Sequence, residues 1–304
     1  MSPSHGQIGR STIMQVVGSG LPPLLAFAGV LLLWQAGVWL TGVHPITLPS
    51  PLRVMDAMWE EREALIKGVV ATGAASVMGL SLSVVVGLGI SILFSLSRWV
   101  RSAFYPYVVF LQTVPIVAIA PLLITWFGYG FKTIVLVASI ISLFPIVSNV
   151  TAGLMSIDNN LRDLFRLAGA TRFQELWKLR LPHAMSHLVL GMRVSAGLAV
   201  IGAIVGEFFV GTNAAGFEAL TDVVEYFTGR RVGAFSGLGT VMTGWQNRAR
   251  TDAIIAAVFV STLLGLILLS MVNLLGRTAF RRWTASGSFE NEKFVAGLIG
   301  KSRK

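Results

Sequence analysis

The sequence predicts an all-α membrane protein with six transmembrane helices, and three observations carry that prediction. Only 12% of the 304 residues are charged and 54% are hydrophobic, whereas soluble domains are about a quarter charged. The charges are also gathered into blocks: no Asp, Glu, Lys or Arg occurs in 11–52, 68–97, 102–131, 133–157 or 253–276. Each of these windows exceeds the roughly 20 apolar residues that a helix needs to cross a bilayer. Backbone in lipid must satisfy its own hydrogen bonds, so spanning segments of this composition are helices.

The six spans are expected at 22–42, 70–96, 103–127, 133–154, 188–210 and 253–276. The N-terminus, MSPSHGQIGRSTIMQ, places one basic residue before a run long enough to span, with no small-residue cleavage site. It reads as a retained first helix and not as a signal peptide. Between spans 1 and 2, Pro45, Pro49 and Pro51 impose an extended start. Ser50 can cap a helix with Pro51 at its first position, and Leu52, Met55, Met58 and Trp59 then share one face. That pattern suits an amphipathic helix on the outer membrane face. Pro115, Pro121 and Pro145 fall inside spans 3 and 4 and are expected to be kinks packed against neighbouring helices. Gly202 and Gly206 are spaced for close helix packing in span 5.

Span 5 is the only span whose interior carries charge, at Arg193 and Glu207. Charges inside a membrane are costly and point to function by default. Here two readings stay open, a span-end anchor or structural pair for each, or an outer gate for Glu207. The external segment that follows contains 213–229, where Phe217, Leu220, Val223, Val224 and Phe227 recur at helical spacing and Glu218, Asp222 and Glu225 fill the other face. Gly229 ends that helix. It either rests at the interface or forms a docking ledge or lid over the substrate path.

The distribution of charge sets the orientation. The side holding both termini collects 15 Lys and Arg residues and the opposite side 8. Lys and Arg prefer cytoplasmic loops, so the termini and the charged segment 158–182 are expected in the cytoplasm. This asymmetry accounts for the net charge of +10 without nucleic acid. There is no cysteine, so disulfides and thiolate sites are excluded. His5, His44, His183 and His187 form no metal-binding pattern, and no acid–base set suggests a membrane enzyme. The tail sequence GLIGKS lacks the first glycine of a phosphate loop, because Val295 stands there.

The segment from Asp158 to Pro182, DNNLRDLFRLAGATRFQELWKLRLP, is the most informative part of the chain. Asp158 or Asn159 can start a helix, and Leu161, Leu164, Phe165 and Ala168 form one apolar stripe. Gly169 breaks that helix. Thr171 with Gln174 fits a capping box for a second helix, to which Leu176, Trp177 and Leu179 add apolar residues. Leu181-Pro182 is expected to end it and turn the chain into span 5. Such a basic, apolar helix pair either lies on anionic lipid or docks on a cytoplasmic protein.

The spacing of this segment resembles the signature loop of ATP-binding-cassette (ABC) importer permeases. Asp163 takes the acidic place, Gly169 the glycine, and Leu179-Arg180-Leu181-Pro182 the ending, while Leu164 and Phe165 depart from the family's small residues. The resemblance runs from Leu48 to Trp283 through LPSP at 48–51, VPIVAIAPLLITWFGYG at 114–130, GLMSID at 153–158, GMR at 191–193 and GEF at 206–208. Gly237-Leu238-Gly239 resembles a later glycine motif of the family. Together these motifs are similar to the nitrate, sulfonate and taurine branch, in which the stretch matching 211–236 is shorter.

The resemblance implies an ABC importer permease-like fold with a cytoplasmic coupling loop. It divides the chain into a cytoplasmic N-terminal segment (1–21), a permease domain (22–283) with coupling loop 158–182 and external insertion 211–236, and a cytoplasmic tail (284–304). Asp163, Arg166, Leu167, Ala168, Gly169, Ala170 and Thr171 would couple to a separate ATPase, which would bind the ATP and Mg; this chain would carry no catalytic residue, metal or cofactor. A second permease copy, two ATPase subunits and an external binding protein would complete an inner-membrane importer. Its substrate would be nitrate, a sulfonate such as taurine, or bicarbonate. The alternative is a vitamin precursor such as a pyrimidine. An ion-coupled secondary transporter would favour ionisable groups at midspan, which the charge-free spans lack.

Overall fold

A computed structural model describes residues 7–211 and 236–279, and every regular element among them is helical. The helix expected over 213–229 and the tail 284–304 lie outside the described residues. The chain divides into two compact units, Met1–Arg62 with Trp245–Ala257, and Glu63–Gly244 with Val258–Lys304.

In the first unit, α1 runs over Gln7–Thr41 and α2 over Pro51–Glu60. Ser50 caps α2 by accepting from the Arg53 N–H, with Pro51 at the first helical position, as the sequence predicts. Val54 and Ala57 are buried, whereas Leu52, Met55 and Trp59 stay exposed along one side, as an interfacial helix requires. Arg250 holds the end of α2. Its guanidinium lies 3.1 Å from Glu60, 3.5 Å from Glu61 and 3.0 Å from Asp252.

The second unit holds most of the apolar helices: α3 (Arg62–Leu96), α4 (Arg98–Thr113), α5 (Ile116–Phe127), α6 (Phe131–Met155), α7 (Asn159–Leu167), α8 (Arg172–Glu175) and α9 (Leu181–Val210). Two further helices are α10 (Leu238–Asn247) and α11 (Thr251–Ala279). Helices α6 and α9 pack through small residues. A Cβ on Gly202 would lie 2.7 Å from the Ala138 Cα, and one on Gly206 3.2 Å from the Ile134 Cα, so the backbones meet without side chains between them. Serines tie α3 and α9 to α6. Ser83 Oγ on α3 donates to the Ser139 carbonyl at 2.7 Å, and Ser195 Oγ on α9 to the Ser142 carbonyl at 2.6 Å. Leu263, Leu266, Ile267 and Leu274 of α11 are exposed, an apolar surface suited to lipid.

By length and composition, four described helices can cross a membrane, or five if the bent pair of α4 and α5 is counted as one span. The first expected span appears as the shorter apolar stretch Leu25–Thr41. Two expectations are corrected. The third span is not one helix: it breaks at Val114-Pro115, and its halves diverge by 104°. Pro115 disfavours the helical conformation for the residue before it, and Val114 is extended with ψ 127. Pro121 and Pro145 remain inside their helices. Nor does the helix after Gly169 end at Leu181-Pro182. It continues unbroken over Arg172–Val210, because a π-helical turn at Leu176–Arg180 widens the coil just before Pro182. That turn relieves the clash and the missing N–H that proline brings to a regular helix.

The packing yields a test. Gly202→Val should collapse the thermal stability of the detergent-solubilised chain and broaden its size-exclusion peak, since overpacking costs about 1–3 kcal/mol or more where backbone cannot retreat. An unchanged melting temperature would show that α6 and α9 do not approach so closely.

Candidate functional site: the 158–182 loop and its anchors

The segment 158–182 forms its structure largely from local chemistry. Asp158 caps α7, accepting the Asn160 N–H at 2.9 Å. At the other end Gly169 adopts φ +73, a left-handed conformation that glycine reaches without steric cost. The Gly169 N–H then donates to the Arg166 carbonyl, and the Ala170 N–H to the Phe165 carbonyl at 2.9 Å; these two bonds make a Schellman motif. The Thr171–Gln174 capping box is complete: Thr171 Oγ1 accepts from the Gln174 N–H, and Gln174 Oε1 accepts from the Thr171 N–H.

The apolar side chains of this loop are left uncovered. Helix α7 has no buried residue. Leu161, Leu164 and Leu167 of the loop are exposed, Leu167 by 85%, and Phe173 and Trp177 beyond it are exposed too. Nothing lies within 4 Å of a Cβ built on Gly169, so conformation and not crowding demands glycine there. Asp163 and Arg166 form an exposed pair at 3.5 Å, which adds little stability.

What fixes the loop to the helices is a buried ion cluster that sequence reading missed. Glu175 is buried, at 6% exposure. Its Oε1 accepts from Arg180 Nη2 at 2.7 Å, from Arg180 Nε at 3.0 Å and from Arg162 Nε at 3.1 Å. Arg180 Nη1 also donates to the Ser95 hydroxyl at 3.0 Å and to the Ser95 carbonyl. One carboxylate therefore joins α7, α8 and the root of α9, while Arg180 carries the link to the end of α3. Residues five apart do not face each other on a regular α-helix. The π turn brings Glu175 and Arg180 together, and no local signal announced it.

The two charges of span 5 have different surroundings. Arg193 is exposed on α9, beside a small cleft that Gly276 and Arg277 also line. Glu207 is completely buried. It accepts from Thr72 Oγ1 at 2.9 Å and from the Gly239 N–H at 2.9 Å, and Thr72 Oγ1 in turn accepts the Leu238 N–H at 2.8 Å. The carboxylate thus sits at the N-terminus of α10, where free N–H groups favour negative charge. A Cβ on Gly237 would collide with the Glu207 carboxylate. The GEF and Gly-Leu-Gly motifs, remote in sequence, meet as one joint between α3, α9 and α10.

Comparison with known proteins agrees with this architecture. Residues 79–281 match the family described as the binding-protein-dependent transport system inner membrane component. A formylaminopyrimidine transport permease protein, ThiX of Halalkalibacterium halodurans, is 32% identical over 81% of this chain and 90% of its own length. The riboflavin transport system permease protein RibX of Chloroflexus aurantiacus is 36% identical over 63% of this chain and 72% of its own. The putative aliphatic sulfonates transport permease protein SsuC of Bacillus subtilis is 26% identical over 84% of each chain. An inward-facing structure of the MetNI methionine ABC transporter shares the fold, with a TM-score of 0.53 at 19% identity over 74% of this chain and 97% of that one. The chain belongs to this family of inner-membrane ABC importer permeases.

The Glu207 joint can be tested by substitution. Glu207→Leu leaves the Thr72 hydroxyl and the Gly239 N–H buried without an acceptor, at about 1–3 kcal/mol for each. Glu207→Gln keeps one acceptor oxygen. Melting temperature in detergent should fall in the order wild type, Glu207→Gln, Glu207→Leu; three equal values would contradict the joint.

Proposed function

We propose that the chain is the permease subunit of an ATP-driven importer for a vitamin or vitamin precursor of the pyrimidine or flavin type. The observation that carries the substrate class is the identity of the relatives. Those named for formylaminopyrimidine and riboflavin are 32% and 36% identical, against 26% for the sulfonate permease described above. The span interiors agree with an uncharged heterocycle. Of their two charges, Glu207 is consumed by the α10 joint and Arg193 is exposed away from it. The second reading, a small anion such as a sulfonate or nitrate, rests on the sulfonate relative and on the motifs shared with that branch.

In the proposed mechanism two copies of the chain form the pore, and an external binding protein delivers substrate. The exposed stripe of α7 with residues Arg166 to Thr171 seats in a groove of a separate ATPase subunit, which binds ATP and Mg. Closure of two ATPases pulls on the loop, and Glu175 and Arg180 pass the displacement to α9 and α3. Alternating access follows as largely rigid motion. On this reading both termini and the coupling loop are cytoplasmic.

Two measurements test the proposal. Uptake into proteoliposomes holding the complete complex and its binding protein should follow labelled formylaminopyrimidine or riboflavin and should be indifferent to excess taurine or nitrate; the reverse pattern selects the anion reading. Gly169→Leu forces a branched side chain into a left-handed conformation at the docking tip, at about 1–2 kcal/mol of backbone strain. It should leave the chain in the membrane with ATP-driven uptake reduced at least tenfold. Normal uptake by this variant would sink the coupling role of the loop.

A further inference from the structure

Behind the coupling loop lies a polar cavity of about 530 Å³ between the loop, the end of α3 and the start of α4. Six arginines line it, Arg98, Arg101, Arg162, Arg166, Arg172 and Arg180, against one carboxylate, Glu175. That carboxylate is already engaged by Arg162 and Arg180. Arg98, Arg101 and Arg172 have no ion-pair partner among the described residues. Their side chains line one space in which six guanidinium groups face a single carboxylate, an arrangement that favours the entry of an anion.

The start of α4 adds to the imbalance. Ser97 caps the helix, Arg98 and Arg101 stand in its first turn, and no acidic residue accompanies them. A helix N-terminus carries partial positive charge, so basic residues there are unfavourable and an anion is favourable. Guanidinium groups suit phosphate in particular, because their planar forks donate paired hydrogen bonds.

An apolar groove of about 640 Å³ adjoins this cavity, between α4 and α6. Arg101 and Met155 line both spaces, and Tyr105, Pro106 and Ala152 continue the groove along the helices. Thr151 lines it as well. It is 4% exposed, and its hydroxyl has no hydrogen-bond partner among the described residues. A buried hydroxyl left alone costs free energy. A basic chamber opening onto a mainly apolar groove, edged by the hydroxyl residues Ser102, Tyr105, Ser148 and Thr151, matches a molecule with a phosphate head and a hydrocarbon tail.

We propose that this pair of spaces is a binding site for an anionic phospholipid, with the phosphate diester among Arg98, Arg101 and Arg172 and an acyl chain between α4 and α6. The site rests on the cytoplasmic placement of the loop but needs no knowledge of the transported substrate. It differs from the exposed leucine stripe of α7, which remains free for the ATPase. A bound lipid would brace the Glu175 cluster against the start of α4 and make the rigidity of the loop dependent on the composition of the inner leaflet.

Native mass spectrometry of the full chain, purified in mild detergent and exchanged into micelles carrying either phosphatidylglycerol or phosphatidylcholine, tests the site without transport. The wild type should retain one phosphatidylglycerol per chain in clear preference to phosphatidylcholine, and millimolar inorganic phosphate should not displace it. Arg98→Gln/Arg101→Gln lies outside the coupling loop and should weaken retention by about tenfold or more, since each basic residue near an anionic headgroup contributes about 1 kcal/mol. Arg98→Lys/Arg101→Lys keeps the charge and should retain most of the lipid, which separates loss of charge from loss of fold. Equal retention by wild type and the Gln variant would overturn the proposal. Displacement by inorganic phosphate with no lipid preference would reassign the chamber to free phosphate. Loss of the lipid whenever the ATPase subunit co-purifies would reassign it to an acidic side chain of that subunit. Because no outcome depends on uptake, failure of the importer reading and failure of this site are distinguishable.

Discussion

The carboxylate of Glu175 holds together parts of the molecule that the chain alone would leave loosely connected. A loop tipped by exposed leucines and turned by a left-handed glycine would, by itself, swing freely. With one oxygen of Glu175 accepting from both Arg180 and Arg162, and Arg180 reaching on to Ser95, the loop becomes an extension of α9 braced on α3. Removing one partner of such a buried pair is much worse than never having built it, because the remaining charge is left without compensation. The cluster therefore makes the loop stiff and also makes it intolerant of partial change.

Stiffness at the root is matched by close packing above it. Helix α9 meets α6 through Gly202 and Gly206, and the serine hydrogen bonds that join α9 and α3 to α6 leave little room for sliding. Further along, Glu207 pins α10 to α9 and α3 through Thr72 and Gly239. A displacement entering at Arg180 thus meets a helix that is bonded at its start, packed along its middle and locked near its end. Packed elements of this kind move as bodies and do not bend continuously. The break at Pro115, where α4 and α5 diverge by 104°, is the one place in the described spans where a crossing is jointed.

How much of this was legible in the sequence follows the range of each interaction. Asp158, Gly169 and the Thr171–Gln174 box act on their own neighbours, and their roles could be read from residue type and spacing. Gly202 and Gly206 were legible for the same reason, although their partners on α6 were not. Proline chemistry is identical at Pro115, Pro121 and Pro145, so local reasoning could not tell which one breaks a span. The π turn at Leu176–Arg180 was hidden because Leu181-Pro182 looks like a stop, and with it was hidden the Glu175–Arg180 pair. Glu207 could be singled out as a charge inside a span. That its partners are Thr72 and the Gly237–Gly239 backbone depends on a fold that brings residues from three helices to one point.

The central claim is that the 158–182 loop and α9 form one rigid body, the lever of the proposed mechanism. The chain has no cysteine, so spin labels can be introduced without removing any native residue of that type. Labels at the exposed positions Phe173 and Leu190 bracket the π turn and the Glu175 cluster. Pulsed electron–electron distance measurement on complete complexes assembled with labelled chain diluted in excess unlabelled chain, so that only distances within one chain are read, should give a single narrow distance that is the same without nucleotide and with ATP trapped in the ATPase. A distance that shifts by about a helical turn, about 5.4 Å, or splits into two populations when ATP binds would mean that the loop swivels on α9, and the lever account would be wrong.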